Sequence, residues 1–197
     1  MTNQNSSVQY LELKDYQTKP WKNGKGQTHD ILIMPKDADH SNFDLRFALS
    51  PIVEAAAFSS FPGADRVITV IEGPRLDLTF DTSTEQLTRF DSLRFDTGLA
   101  PFGDPVDGPV RVVNVMARRG VWNISFCDLV SHKEIRSASD EIVFLFAVDD
   151  AVSISGSEGV HQLEPLASAI ISGPAEIAVD AANFGKVLYA HLQYVQS

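Results

Sequence analysis

The sequence has a single cysteine, Cys127, so its 197 residues cannot form an intrachain disulfide. Structural disulfides are typical of oxidising compartments, and their exclusion removes one argument for secretion. No apolar run approaches the roughly 20 residues that a membrane-spanning helix needs. The polar start, Met1 to Ser7, also lacks the basic and apolar regions of a signal peptide. Together these absences predict a soluble cytoplasmic protein.

Positive charge is also scarce. Lysine and arginine total 16 against 26 aspartate and glutamate residues, which gives a formal net charge of -10. The long-range field of such a protein repels nucleic acid and anionic membrane surfaces, so neither is an expected partner. A small acid would have to be held by local cations, and the few arginines near predicted turns are therefore the candidate anion ligands.

Two motifs of catalytic proteins are missing. None of the five histidines forms a His-x-His pair, which predicts that the protein holds no metal and no other cofactor. Ser59 and Ser60 precede a strand without the Gly-x-Ser-x-Gly pattern of a nucleophile elbow. His29 and Asp30 are neighbours within a predicted strand, so their side chains should point to opposite faces and form no local dyad.

The apolar residues that are present follow a strand period. Phe43, Leu45, Phe47 and Leu49 alternate with polar or small residues in the clearest period-two pattern of the chain. That pattern predicts one core-facing side. Arg46 lies opposite this side, which predicts that its side chain faces solvent or pairs with a neighbouring strand.

Many short strands separated by glycine and proline indicate an all-β antiparallel sandwich or barrel. Residues 65–80 and 140–155 share an order of acidic turn, buried strand, tight turn and half-exposed strand, which suggests two related halves. Thr97 to Pro109 is predicted to be a long loop, of a length suited to a lid or an interface. Asp128 to Asp140 is predicted to be a polar link or a helical turn.

The chain is organised around the segment Phe58 to Arg66, which leads into the apolar run Val67 to Gly73. Arg66 lies where the turn enters the strand, a position from which a guanidinium can bind a carboxylate through two parallel hydrogen bonds. The alternative is a surface ion pair between Arg66 and either Asp65 or Glu72, which would contribute only about 0 to 1 kcal/mol.

Three blocks occur in a recognisable order: Pro20 to Thr28, Phe58 to Arg66 with Glu72-Gly73, and Asn114 to Arg118. With these blocks the chain resembles the HutD/Ves family, which is associated with bacterial histidine-utilisation operons. The resemblance implies a bicupin, that is, two tandem RmlC-like jelly-roll barrels packed together. The first cupin barrel, with its N-terminal Trp-Asn-Gly loop, would span residues 8–128, and a second, smaller barrel would span residues 129–197.

The resemblance further implies a metal-free regulatory protein that binds a small carboxylate such as N-formylglutamate in histidine catabolism. Cupins commonly bind a metal through a His-x-His pair, a glutamate and a later histidine, and Arg66 here takes the place of the glutamate. The ligand site of this protein is expected to combine cations, amides, a hydroxyl and a covering aromatic ring: Trp21, Asn23, Ser59, Arg66, Asn114 and Arg118.

Two departures from the family pattern put the ligand's identity in question. Lys25 replaces a small residue and would add a cation, and Val112 replaces an acidic residue. One alternative function is a metal-independent cupin enzyme, an isomerase or lyase acting on a small acid or sugar. Another is an interaction protein that uses its second barrel as an oligomerisation surface, and the sequence leaves a homodimer open.

Overall fold

The computed structural model of the protein describes residues 6–20 and 27–195. Its regular structure is almost entirely antiparallel strand, with three short 3-10 helices at Leu13–Asp15, Thr97–Leu99 and Ala182–Phe184. No helix in the described part of the chain is both long and apolar enough to cross a membrane. The all-β prediction is therefore confirmed.

The chain divides into two compact units. We call Tyr16–Trp122 the central unit, and the residues on either side of it together form the terminal unit. The predicted boundary lay after residue 128 and placed residues 8–15 in the first barrel, whereas here these residues group with the end of the chain because their strand pairs there. The first strand, β1 (Ser7–Leu11), is hydrogen-bonded to β17 (Ser168–Ser172) near the other end of the sequence.

The central unit contains a six-stranded and a four-stranded sheet. The six-stranded sheet has the order β2 (Gln17–Pro20), β3 (Gln27–Met34), β4 (Leu45–Ile52), β11 (Val110–Arg118), β6 (Ala64–Glu72) and β9 (Ser92–Asp96). The four-stranded sheet has the order β5 (Ala56–Ala57), β10 (Phe102–Val106), β7 (Arg75–Thr79) and β8 (Thr84–Thr88). Apolar side chains from both sheets, among them Ile68 and Leu78, form one buried cluster.

The terminal unit has the same two-sheet construction. Its five-stranded sheet has the order β1, β17, β14 (Glu141–Ala147), β19 (Val187–Tyr194) and β12 (Trp122–Val130). Its four-stranded sheet has the order β13 (His132–Ser137), β18 (Ala175–Ala181), β15 (Val152–Gly156) and β16 (Gly159–Leu163). A second apolar cluster draws on both of these sheets, with Leu145 and Val179 fully buried.

Two predicted connections are strands instead. The segment expected to be a long loop contains β10, which pairs with both β5 and β7. The segment expected to be a polar link contains β13, an edge strand in which Ile135 is the buried residue. An edge strand with few inward side chains lacks the apolar alternation on which strand prediction depends, so its sequence resembles a loop.

The turn between β6 and β7 requires a glycine. Gly73 has φ +99°, and a Cβ added there would lie 2.4 Å from the carbonyl oxygen of Pro109. Both the left-handed backbone and this close approach exclude a larger side chain. The turn leads from β6, which carries Arg66, into β7 of the other sheet.

Candidate functional site

A cavity of about 420 Å³ lies in the central unit. Strands β3, β4, β6 and β11 supply one wall, and the segment that precedes β6 supplies another. The lining combines three cations and one carboxylate with an imidazole, hydroxyls, an amide and apolar side chains: Lys19, Thr28, His40, Arg46, Ser50, Ile52, Glu54, Ala56, Ala57, Phe58, Ser59, Phe61, Arg66, Val112, Asn114 and Met116.

Strand register brings two arginines to this wall. Met116 on β11 is paired with Arg46 on β4 and with Arg66 on β6, so the two arginines flank it in one row across the sheet. Side chains at paired positions point to the same face of a sheet. Both guanidinium groups therefore face the cavity. Arg46 is 6% exposed and Arg66 is 5% exposed.

Arg66 is buried without a counter-charge. No carboxylate of the described residues lies within 4 Å of its guanidinium, and its Nε has no hydrogen-bond partner there. Three phenyl rings surround the group, with its Cζ at 5.3 Å from the ring centre of Phe58, 5.8 Å from Phe61 and 5.5 Å from Phe95. Cation–π contacts stabilise the charge but supply no hydrogen-bond acceptor.

Burial and, to a smaller extent, the nearby charge of Arg46 together lower the pKa of Arg66 to about 9. Even so, the group keeps its proton at neutral pH. The structure excludes the surface ion pair that was the alternative for Arg66. Asp65 instead accepts hydrogen bonds from Arg94 and Arg119 at 3.0 and 2.7 Å.

Arg46, by contrast, is fully paired. Its Nε and Nη2 lie 2.8 and 2.7 Å from Oδ1 of Asp30 on β3. Oδ2 of Asp30 lies 2.9 Å from Nε2 of His40 and 3.5 Å from Nζ of Lys19. Burial alone would raise the pKa of Asp30, but the contacts with His40 and Arg46 hold it below its usual range. The expectation that Arg46 faces solvent is wrong, whereas its pairing with a neighbouring strand is confirmed.

The charges around the cavity sum to a small positive value. Lys19, Arg46 and Arg66 are cations, and Glu54 together with Asp30 behind the lining are anions, so three positive and two negative charges leave +1 when His40 is neutral. The whole chain carries -10. The cavity is therefore a locally positive region in an acidic protein.

The other predicted site residues are placed as follows. Asn114 is buried and lines the cavity, and its Oδ1 has no hydrogen-bond partner. Ser59 lines the cavity with an exposed side chain. Trp21 and Asn23 lie outside the described residues, as does Lys25.

Arg118 lies in a different place. Its Nε donates to the carbonyl oxygen of Phe43 at 3.0 Å and to Oδ1 of Asp44 at 3.1 Å. It lines a second, smaller cavity of about 150 Å³. The structure thus brings Arg66, Asn114 and Ser59 together around one cavity and places Arg118 outside it.

Sequence reasoning assigned no site role to several polar contributors at the cavity, among them Arg46, Asp30 and His40. Arg46 and Asp30 are polar residues within the strands β4 and β3, whereas His40 lies in the connection between these strands and carries no strand signal. His29, next to Asp30, hydrogen-bonds through Nδ1 to Thr18 at 3.0 Å. It does not share the contacts of Asp30, as the strand geometry predicted.

The cavity lining does not fit a metal ion. Metal sites use imidazoles, carboxylates and thiolates, whereas this cavity presents two buried guanidinium groups that would repel a cation. Within residues 6–20 and 27–195, no group of three or more His, Cys, Asp or Glu side chains is close enough to hold a metal. The donor set suits an anion.

A second polar cluster, in the terminal unit, is satisfied internally. His191 lies between Tyr189 and Glu141, with Nδ1 at 2.7 Å from the Tyr189 hydroxyl and Nε2 at 2.8 Å from Oε2 of Glu141. Burial, together with the charge of Glu141, raises the pKa of Tyr189. This cluster presents no unpaired buried charge comparable to Arg66.

Comparisons with known proteins agree with this fold. The model of the HutD family matches residues 13–189. An uncharacterised 21.2 kDa protein of the hutC 3' region of Pseudomonas putida is 30% identical over 158 residues, which cover 78% of this chain and 81% of that protein.

Solved structures show the same architecture. HutD from Pseudomonas fluorescens, determined in a formate condition, superposes with a TM-score of 0.82 at 25% identity and covers 95% of this chain and 99% of that one. The nickel-bound pirin YhhW from Escherichia coli has a TM-score of 0.66 at 12% identity, covering 95% and 99% of the two chains. The latter likeness concerns the fold alone.

Proposed function

Because this chain belongs to the HutD family, we propose that it is a bicupin whose central unit binds a small carboxylate. In this proposal each two-sheet unit is one cupin barrel. N-formylglutamate is the candidate ligand that the family's histidine-utilisation context suggests. Binding without chemical conversion would make the protein a sensor or regulator of that metabolite.

The observation that carries the proposal is the buried, uncompensated charge of Arg66. A buried charge without a counter-ion is costly, and proteins normally neutralise or pair such a group. A ligand carboxylate beside Arg66 would supply the missing acceptor and relieve the repulsion between Arg66 and Arg46. Asn114 lies on β11 two residues before Met116, the residue paired with both arginines. Its side-chain amide could hydrogen-bond a formyl or carboxyl group.

The test is isothermal titration of the wild-type protein and two variants with formate, acetate and N-formylglutamate. Arg66→Met should weaken binding by about 1.5 to 3 kcal/mol, or roughly ten- to 150-fold, because a charge-assisted hydrogen bond is lost. Arg118→Met is the matched control, since its guanidinium is held by Phe43 and Asp44 outside the cavity.

Weakened binding in Arg66→Met together with unchanged affinity in Arg118→Met would assign the anion to Arg66, and unchanged affinity in Arg66→Met would contradict that assignment. Loss of binding in Arg118→Met alone would favour the assignment suggested by the sequence, in which Arg118 counters the ligand charge. If no carboxylate binds the wild-type protein, the proposed function fails.

Anion affinity should also depend on pH in a defined direction. The ligand binds the protonated guanidinium, whose pKa in the free protein is about 9. Affinity for acetate, already fully ionised at pH 7, should therefore be constant up to about pH 8 and fall about tenfold per pH unit above the pKa of Arg66. Titrations from pH 7 to 10.5 would show this, and a flat profile would contradict a role for Arg66 charge.

One observation favours a second candidate, a metal-independent enzyme. His40 lines the cavity, and its Nε2 lies within hydrogen-bond distance of Oδ2 of Asp30. Nδ1 of His40 has no hydrogen-bond partner among the described residues. An imidazole oriented by a carboxylate can act as a general base. Proton NMR of a bound acid in D₂O would distinguish the two functions, because an enzyme would exchange or convert the ligand and a binding protein would return it unchanged.

A further inference from the structure

The carboxylate of Asp30 lies directly behind the cavity wall. Three of the residues that line the cavity contact it: Arg46, His40 and Lys19. The pair with Arg46 is deeply buried, since the side chain of Asp30 is 3% exposed and that of Arg46 is 7% exposed. Asp30 therefore occupies the place that a ligand carboxylate would otherwise take on Arg46.

This arrangement fixes the charge at the inner end of the cavity. Among the buried groups there, Arg46 and Arg66 contribute two positive charges and Asp30 contributes one negative charge, which leaves a single buried positive charge. Oδ1 of Asp30 contacts Arg46 at this end, while Oδ2 contacts the partly exposed Lys19 and His40. One ligand carboxylate neutralises the single buried positive charge. A second carboxylate at the same end would leave a net negative buried charge and would lie near Asp30, and such like-charge contacts cost several kcal/mol.

The mouth of the cavity is more exposed to solvent than the inner end. The side chains of Lys19 and His40 are 40% and 37% exposed, so a charged group near them stays hydrated. A longer acid could place a second carboxylate there without burying it.

We propose that Asp30 determines ligand specificity by limiting the inner end of the cavity to one carboxylate. The ligand is then a monocarboxylate, or an acid long enough to keep its second carboxylate at the mouth. Short dicarboxylates, in which both groups would enter the inner end, are rejected. This inference rests on the proposed function, because it concerns the same anion site.

The test compares acetate with malonate, a compact dianion at pH 7.5, in titrations of the wild-type protein and of Asp30→Asn. The wild-type protein should bind acetate at least as tightly as malonate. Asp30→Asn frees Arg46 for the second carboxylate, so the ratio of malonate to acetate affinity should rise at least about tenfold. The double variant Asp30→Asn with Arg46→Met lacks the freed cation and should return to the wild-type ratio.

Three results would overturn this specificity. One is an unchanged ratio in folded Asp30→Asn, and another is a raised ratio that persists in the double variant. The third requires no variant: wild-type protein that binds malonate about tenfold more tightly than acetate. This last comparison decides the matter if Asp30→Asn fails to fold, as judged by circular dichroism. Absence of binding of both acids to wild-type protein would instead overturn the proposed function.

Discussion

Replacing Asp30 with alanine is expected to lower the free energy of unfolding by about 3 to 5 kcal/mol, because it leaves the buried guanidinium of Arg46 without its counter-charge. The same substitution removes the contacts that Asp30 makes with His40 and Lys19, but these involve partly exposed groups and contribute less. Urea denaturation followed by circular dichroism would measure the change.

The double variant Asp30→Ala with Arg46→Met is the control for this loss. It removes both charges, so it should recover most of the stability lost in Asp30→Ala. A single variant that loses less than about 1 kcal/mol would show that Arg46 does not depend on Asp30.

Replacing Arg66 with methionine is expected to have the opposite effect on the ligand-free protein. The guanidinium is buried among Phe58, Phe61 and Phe95 without a carboxylate from the described residues, and methionine fills a similar volume without a charge. Apolar replacements of buried charges stabilise some proteins by about 1 to 4 kcal/mol. Thermal and urea denaturation without added anion would measure this gain.

Added ligand should shrink that difference. Ligand binding stabilises both proteins by mass action, and at high concentration the wild-type protein gains about 1.5 to 3 kcal/mol more than Arg66→Met because it binds more tightly. Residues of a binding site commonly lower the stability of the ligand-free protein, because they are suited to the ligand and not to the fold. A ligand-free Arg66→Met variant that is less stable than the wild-type protein would mean that Arg66 supports the fold rather than a ligand.

The different environments of the two arginines, one paired with a carboxylate and one not, could not be predicted from sequence. Arg46 and Arg66 both precede or interrupt apolar runs, and nothing local distinguishes a paired guanidinium from an unpaired one. The difference depends on β3, which lies next to β4 and brings Asp30 to Arg46 from 16 residues away. No short turn joins these two strands, so the local sequence does not determine which of their residues face each other.

The strand pattern predicted the fold class well where one face was apolar. It failed for β4, since the side of Arg46 and Ala48 is as buried as the side of Phe47. A strand covered on both faces needs no polar side, so alternation alone leaves open whether Arg46 faces solvent or pairs with a neighbouring strand. The pattern also failed for the edge strand β13, whose one buried residue gives no periodicity.

The candidate site was predictable in part. Arg66 was identified because a turn rich in proline and glycine leads into its strand, and Asn114 was identified by the family resemblance. Phe58 was not assigned a role, although it lies over the Arg66 guanidinium. Gly103 makes room for it, because a Cβ at that position would lie 2.5 Å from the Phe58 ring. Such a contact between distant segments leaves no local trace in the sequence.

The most direct measurement of the central claim is a crystal structure of the protein soaked in formate or N-formylglutamate. We expect a carboxylate within hydrogen-bond distance, about 2.7 to 3.2 Å, of the Arg66 guanidinium, inside the cavity lined by Asn114 and Met116. An empty cavity at saturating ligand, a carboxylate bound only at exposed arginines, or a cation held in that cavity would contradict it.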